Sequence, residues 1–220
     1  MLIHSPLVGP STWRWVAETL AARGHRVTVP SAVASLGWEA FANSVAAQIG
    51  QERHAVLVGH SGAGPLLPQL RVRADHEPDV LVFVDAGVPP ETGDAALMPS
   101  EFRPQLQAMA RGGLLPKWST WFGPGAIEKL IPNEERCAAV CNELPQLPLA
   151  YFDDRVPVPQ GWAAARCGYI QLSEPYAAEA AEARRRGWPI YELPGNHLDI
   201  VTRPVAITDA ITSIVDQLAG

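Results

Sequence analysis

Apolar positions along this chain follow two alternating rhythms. Short runs that are apolar on successive residues, Leu2-Ile3, Ala55-Val56-Leu57-Val58 and Val80-Leu81-Val82-Phe83-Val84, are separated by longer stretches whose apolar residues recur every three or four positions. Runs of the first kind suit strands buried on both faces and stretches of the second kind suit amphipathic helices, so their alternation predicts a parallel sheet covered on each side. Helices are expected over 12–23, where Trp13, Val16, Leu20 and Ala21 share a face and Gly24 ends the run, over 38–49 up to Gly50, and over 66–73. His25-Arg26-Val27-Thr28-Val29 reads as a further short strand, stopped by Pro30.

From about Val88 to Ala165 the rhythm changes. Prolines crowd the ends of this segment, and Trp118, Trp121, Phe122, Tyr151, Phe152 and Trp162 give it an aromatic density absent elsewhere. It reads as an inserted, mostly helical cap with helices over 101–111, 125–130 and 134–144. The alternation then resumes with a strand over 167–172, a helix over 176–186, a strand over 189–193, the loop Gly195-Asn196-His197 and a closing helix over 205–218. The expected architecture is therefore an α/β core, residues 1–87 and 166–220, of about six mostly parallel strands, interrupted by a cap at 88–165.

Composition narrows the partners more than the fold. A chain of 220 residues that is 47% hydrophobic can bury one sizeable core. Its net charge of −6 argues against a nucleic-acid or anionic-membrane surface, and the longest basic run, Arg184-Arg185-Arg186, falls where a helix C-terminus favours cations. Cys137, Cys141 and Cys167 cannot all pair and have no metal-ligand spacing with other His or Cys, so reduced thiols and no bound metal are expected. The opening Met-Leu-Ile-His-Ser carries neither a basic leader nor a long apolar segment, which points to a cytoplasmic protein without a membrane span. A small-molecule substrate and a monomer or homodimer complete that expectation.

The candidate chemistry lies where the central apolar run stops at Gly59-His60-Ser61-Gly62-Ala63-Gly64 and helical character begins at Leu66. A serine in a sharp turn between strand and helix is lifted above the sheet edge, and its neighbours must be small because the two elements pass close by. Ala63 stands where the second glycine of G-x-S-x-G falls, and is small enough to serve. Serine needs a base, and His197 is the best placed: it follows the last strand, on the sheet edge where every parallel strand ends. His25, His54 and His76 are expected at the surface, while His60 is expected to line the pocket.

The opening Leu2-Ile3-His4-Ser5-Pro6 leading to Trp13, the turn at Ser61, the insertion and Gly195-Asn196-His197 together resemble the α/β-hydrolase superfamily, and within it the small cofactor-free esterases and hydroxynitrile lyases. That resemblance implies an α/β-hydrolase fold, no cofactor, and a site built in the order serine, acid, histidine. It implies an oxyanion hole made by the N–H of Gly62 and that of the residue here occupied by Pro6, which has none, so either Leu7 or the Ser5 hydroxyl supplies the second donor or a single donor remains. Relatives place the acid as an aspartate where Ser173-Glu174-Pro175 stands here, which leaves Glu174 or, from the strand after the elbow helix, Asp85. Asp199 is expected to be solvated or capping. Of the cap aromatics, Trp121, Phe122, Tyr151 and Trp162 are expected to face the substrate. The implied activity is a serine hydrolase acting on an ester, lactone or thioester. Ser5, where esterases carry glycine, also leaves open a lyase or cyclase using His197 as a base without acylation, and Pro6 leaves open a binding protein that has lost catalysis.

Overall fold

The computed structural model describes residues 1–34, 37–49, 56–74 and 77–220. Five strands, β1 (Leu2–Ile3), β2 (Val56–His60), β3 (Val80–Val84), β6 (Arg166–Gln171) and β7 (Ile190–Glu192), form one parallel sheet in the order β1-β2-β3-β6-β7. Between β3 and β6, the strands β4 (Asp94–Ala96) and β5 (Arg155–Pro157) make a separate antiparallel pair at the two ends of the insertion.

The continuous apolar runs still have a period of two in space. Leu57, Leu81, Phe83, Cys167 and Tyr169 point to one face, where α2 (Trp38–Ile49), α3 (Leu67–Arg73) and α7 (Ala177–Arg185) contribute Phe41, Val45, Leu70 and Ala183. Val58, Val80, Val82, Val84 and Ile170 point to the other, against Trp13 and the helices α1 (Arg14–Ala22) and α9 (Pro204–Ala219). Both faces are covered, so neither can tolerate polar residues, and β3 is buried at all five positions.

The segment His25–Pro30 is not a strand. Leu2 N–H donates to the Thr28 carbonyl at 2.9 Å, so the segment runs beside β1, but β1 is only two residues long and offers too little edge for a ladder. Among the described residues the parallel sheet therefore has five strands where about six were expected. In the insertion the helices are shorter than the periodicity suggests: α4 (Arg103–Met109), α5 (Ala126–Leu130) and α6 (Glu134–Asn142), with Asn133 capping α6 through the Arg136 N–H. Among the described residues no helix is long and apolar enough to cross a membrane.

Candidate active site

β2 ends at His60, and Ser61 takes φ +56°, a left-handed conformation that a non-glycine residue holds only when its surroundings compel it. A 3₁₀ turn over Ser61–Leu66 follows and runs into α3. Gly64 shows why the turn is built of small residues: a Cβ there would collide with the carbonyl oxygen of Gly87 and lie 3.0 Å from Ala86 Cβ. The Ser61 turn and the turn after β3 are thus packed backbone to backbone.

That second turn carries Asp85, also at positive φ (+43°) and fully buried. Tyr169 from β6 holds the turn in place, its phenol donating to Ala86 O at 3.1 Å and accepting from Ala86 N–H at 3.2 Å. The Asp85 carboxylate accepts from Leu172 N–H (2.8 Å), Ser173 N–H (3.0 Å), the Ser173 hydroxyl (2.5 Å) and His197 Nδ1 (2.9 Å). Burial alone would raise its pKa, but the hydrogen bond and charge of His197, with the bonds from Ser173 and Leu172, outweigh burial and hold the carboxyl below its ordinary value. An ionised carboxylate only accepts, so His197 carries a proton on Nδ1, and in the neutral ring Nε2 is the nitrogen with the free lone pair.

The loop that carries His197 is knotted by Asp199, which is buried, not solvated. Its carboxylate accepts from Asn196 N–H at 3.1 Å, Asn196 Nδ2 at 2.9 Å and the Thr202 hydroxyl at 2.6 Å, while Arg203 ties back to Pro194 O at 3.0 Å. Asp199 therefore caps the turn into α8 (Asp199–Thr202) and makes no bond to the imidazole. Glu174, the other candidate acid, is exposed and opens the 3₁₀ turn Glu174–Tyr176. The strand order explains the choice: β3 is the neighbour of β6, so the end of β3 reaches under the turn from which a family aspartate would otherwise come.

His60 is buried rather than lining an open pocket, at 1% exposure. Its Nε2 lies 2.9 Å from the His197 carbonyl oxygen, which can only accept, so Nε2 is the protonated nitrogen and Nδ1 is left without a partner. Its ring packs on His197 at 4.4 Å. Desolvation and the neighbouring His197 lower its pKa to about 3, so it is neutral. His25 is exposed; His54 and His76 lie outside the described residues.

At the entrance loop, Leu7 N–H donates to Ser5 Oγ at 3.3 Å and so is turned inward on its own loop. Ser5 Oγ would lie 3.0 Å from a Cβ at Gly62, which brings the Ser5 hydroxyl, rather than Leu7 N–H, up against the residue following Ser61. One neighbour was missed in the sequence. Tyr176 places its hydroxyl 3.3 Å from Ser61 Oγ and stacks parallel to the His197 ring, 4.9 Å between centroids. The available signal was its position just after Ser173-Glu174-Pro175, on the sheet edge that bears Ser61.

The cap aromatics divide. Trp162 has no exposed surface; it donates to Pro90 O at 2.9 Å and packs against Phe83 and Trp188, so it belongs to the core and lines no open pocket. Tyr151 is likewise buried at 3% exposure, and Phe122 stands 63% exposed against Trp118. The half-buried Trp121 packs edge-on against Phe152. Phe152 in turn lines a cavity of about 180 Å³ within the insertion, with Leu106, Arg103 and Asp153; Ser61 is not among its lining residues. The Sγ atoms of Cys137 and Cys141 are 3.9 Å apart on one face of α6, and both thiols are free. Among the described residues no three His, Cys, Asp or Glu side chains converge as a metal site requires.

Solved structures that superpose on the chain include an extracellular α/β-hydrolase from a Paenibacillus species, described as sharing structural and functional homology with tobacco salicylic acid binding protein 2 (TM-score 0.76, 18% identity, 97% of each chain covered). Tomato methylketone synthase I (TM-score 0.74, 14% identity) covers 99% of this chain and 97% of its own. A pyrethroid hydrolase from Sphingobium faniae JZ-2 (TM-score 0.68, 19% identity) covers 98% and 96%. At these identities the likeness is one of fold. A search of curated proteins finds no match. Residues 2–210 match the model of the alpha/beta hydrolase family, and the chain belongs to that family.

Proposed function

We propose that the chain is a serine hydrolase that opens a carboxylic ester, lactone or thioester through an acyl-serine intermediate. The observation that carries this reading is the Asp85–His197 pair, 2.9 Å apart, which fixes the imidazole with Nε2 free on the sheet edge where Ser61 is held at positive φ. Ser61 Oγ attacks the carbonyl carbon while His197 Nε2 takes its proton. The imidazolium, stabilised by Asp85, gives that proton to the departing alcohol or thiol, and water then repeats the sequence to free the serine. The Gly62 N–H is one donor to the oxyanion. The Ser5 hydroxyl supports the second: its oxygen accepts from Leu7 N–H, which leaves its own proton to donate beside Gly62. These steps need no cofactor.

The insertion at 88–165 is assigned the choice of substrate, with Trp121, one of its half-buried aromatics, as the side chain that senses acyl size. The buried Ser5 hydroxyl also supports a second reading, in which His197 acts on the substrate directly as the base of a lyase or cyclase and no acyl-enzyme forms. A fluorophosphonate probe separates the two. The hydrolase reading expects phosphonylation of Ser61 in the wild-type chain, none in Ser61→Ala, and little in His197→Ala. A wild-type chain that turns over substrate yet leaves Ser61 unlabelled would move the assignment to the second reading, and one that does neither would make it a binding protein.

A further inference from the structure

Tyr176 touches both the nucleophile and the base of the proposed reaction. Its hydroxyl is 3.3 Å from Ser61 Oγ, and its ring lies within 3° of parallel to the His197 imidazole at 4.9 Å. Between a phenol and an aliphatic alcohol the phenol is the stronger acid and so the better donor. Burial, only partly opposed by the bond to Ser61, pushes the Tyr176 phenol up to about 12, so it keeps its proton and cannot serve as a base at neutral pH. A protonated donor is therefore aimed at the one oxygen that is nucleophile in the first half of the reaction and leaving group in the second.

Resting on the hydrolase reading, we propose that Tyr176 is a further catalytic residue that donates a hydrogen bond to Ser61 Oγ as that oxygen leaves the acyl group, and so speeds deacylation more than acylation. In deacylation the water oxygen bonds to the acyl carbon and its proton passes to His197 Nε2. The tetrahedral intermediate then collapses: the carbon–Oγ bond breaks, its electron pair stays on Oγ, and Oγ takes the proton from the imidazolium. Negative charge grows on Oγ as this bond breaks, and a donor already in place strengthens there without reorganisation. In acylation the same donor draws density from the attacking lone pair, so its help to the transition state is smaller. The phenol transfers no proton; it holds one.

The test is Tyr176→Phe, which keeps the stacked ring and removes one oxygen. Stopped-flow hydrolysis of p-nitrophenyl acetate gives the acylation and deacylation constants separately, with fluorophosphonate titration counting competent sites in each protein. The expected result is deacylation slowed by ~10–100-fold, acylation within about threefold of wild type, and a burst of p-nitrophenolate close to one equivalent. Equal losses in both constants, or a loss in neither, would overturn the role given to Tyr176 while leaving Ser61 labelled and the hydrolase reading standing. Failure of the wild-type chain to label at Ser61 would instead remove that reading, and this role with it.

Discussion

Asp85 shows how far one residue's role depends on what surrounds it. Its two oxygens collect two backbone N–H groups, one hydroxyl and the His197 ring, an arrangement that suits a carboxylate and not an amide. In Asp85→Asn an NH₂ must face either the N–H donors or the imidazole, and the imidazole then turns to its other tautomer with Nε2 protonated. We expect turnover of a p-nitrophenyl ester to fall by about 10⁴ with substrate binding little changed. Glu174→Gln should keep wild-type turnover, because Glu174 is exposed and bonds nothing at the site; steady-state kinetics of the two variants, side by side, reverses the assignment if the losses are exchanged. Ser61 and His197 could be singled out in the sequence because each lies in a local signature, a small-residue turn after an apolar run and a loop after the last strand. The acid could not be so fixed. Choosing between Asp85 and Glu174 requires knowing that β3 and β6 are neighbours, and Tyr176 becomes visible only when the turn after β6 is seen to fold back over the elbow.

At the scale of elements, the strands and helices with uniform periodicity were legible: 38–49 for α2 and 80–84 for β3 are the observed bounds. What escaped was decided by partners. His25–Pro30 has strand-like residues but faces a two-residue edge, whereas β4 and β5 pair over Asp-Ala-Ala and Arg-Val-Pro, in which Val156 is the one residue that favours a strand. The junction of the two turns gives a prediction at this scale. Gly64→Ala forces the elbow and the Asp85 turn apart, which should cost about 1–3 kcal/mol of stability by overpacking and lower turnover through the displaced carboxylate. Urea unfolding together with kinetics checks both halves, and a variant as stable and active as wild type would mean the turns have room. The insertion supplies a second. Trp162→Ala empties a fully buried site between Phe83 and Trp188 and should destabilise by ~3–5 kcal/mol without reordering substrates, while Trp121→Ala should alter the ranking of an acyl-length series with little change in stability. The opposite pattern would exchange core and pocket between the two tryptophans.

For the molecule as a whole, burying the imidazoles of His4 and His60 makes its stability depend on pH. His60 is held neutral by desolvation and by His197, with a folded pKa of about 3 against the ordinary 6.5, and desolvation likewise lowers His4, whose Nε2 has no partner. Between those limits the unfolded chain binds protons at these positions that the folded chain refuses, so the unfolded state holds more protons than the folded one and stability rises with pH. Their contribution is fully present above 6.5 and is lost as pH falls towards the folded values. Asp85 adds to the loss lower down: its folded pKa lies below the ordinary 3.8, so its contribution is present above that value and disappears as pH falls through the folded one. The share of stability carried by these histidines should therefore begin to decline near pH 6.5, at up to about 1.4 kcal/mol per pH unit for each buried histidine. His60→Gln isolates one share, since its amide nitrogen reaches about as far as the imidazole Nε2 and can still donate to the His197 carbonyl while carrying no titratable group. Urea unfolding at pH 7.5, 6.0 and 5.0 should show the wild-type free energy falling across the series and the variant falling less steeply, by about one histidine's slope. Parallel lines would mean that His60 takes up its proton inside the folded protein, and that the ring packed against the base is an imidazolium in acid rather than the neutral donor on which the geometry of His197 depends.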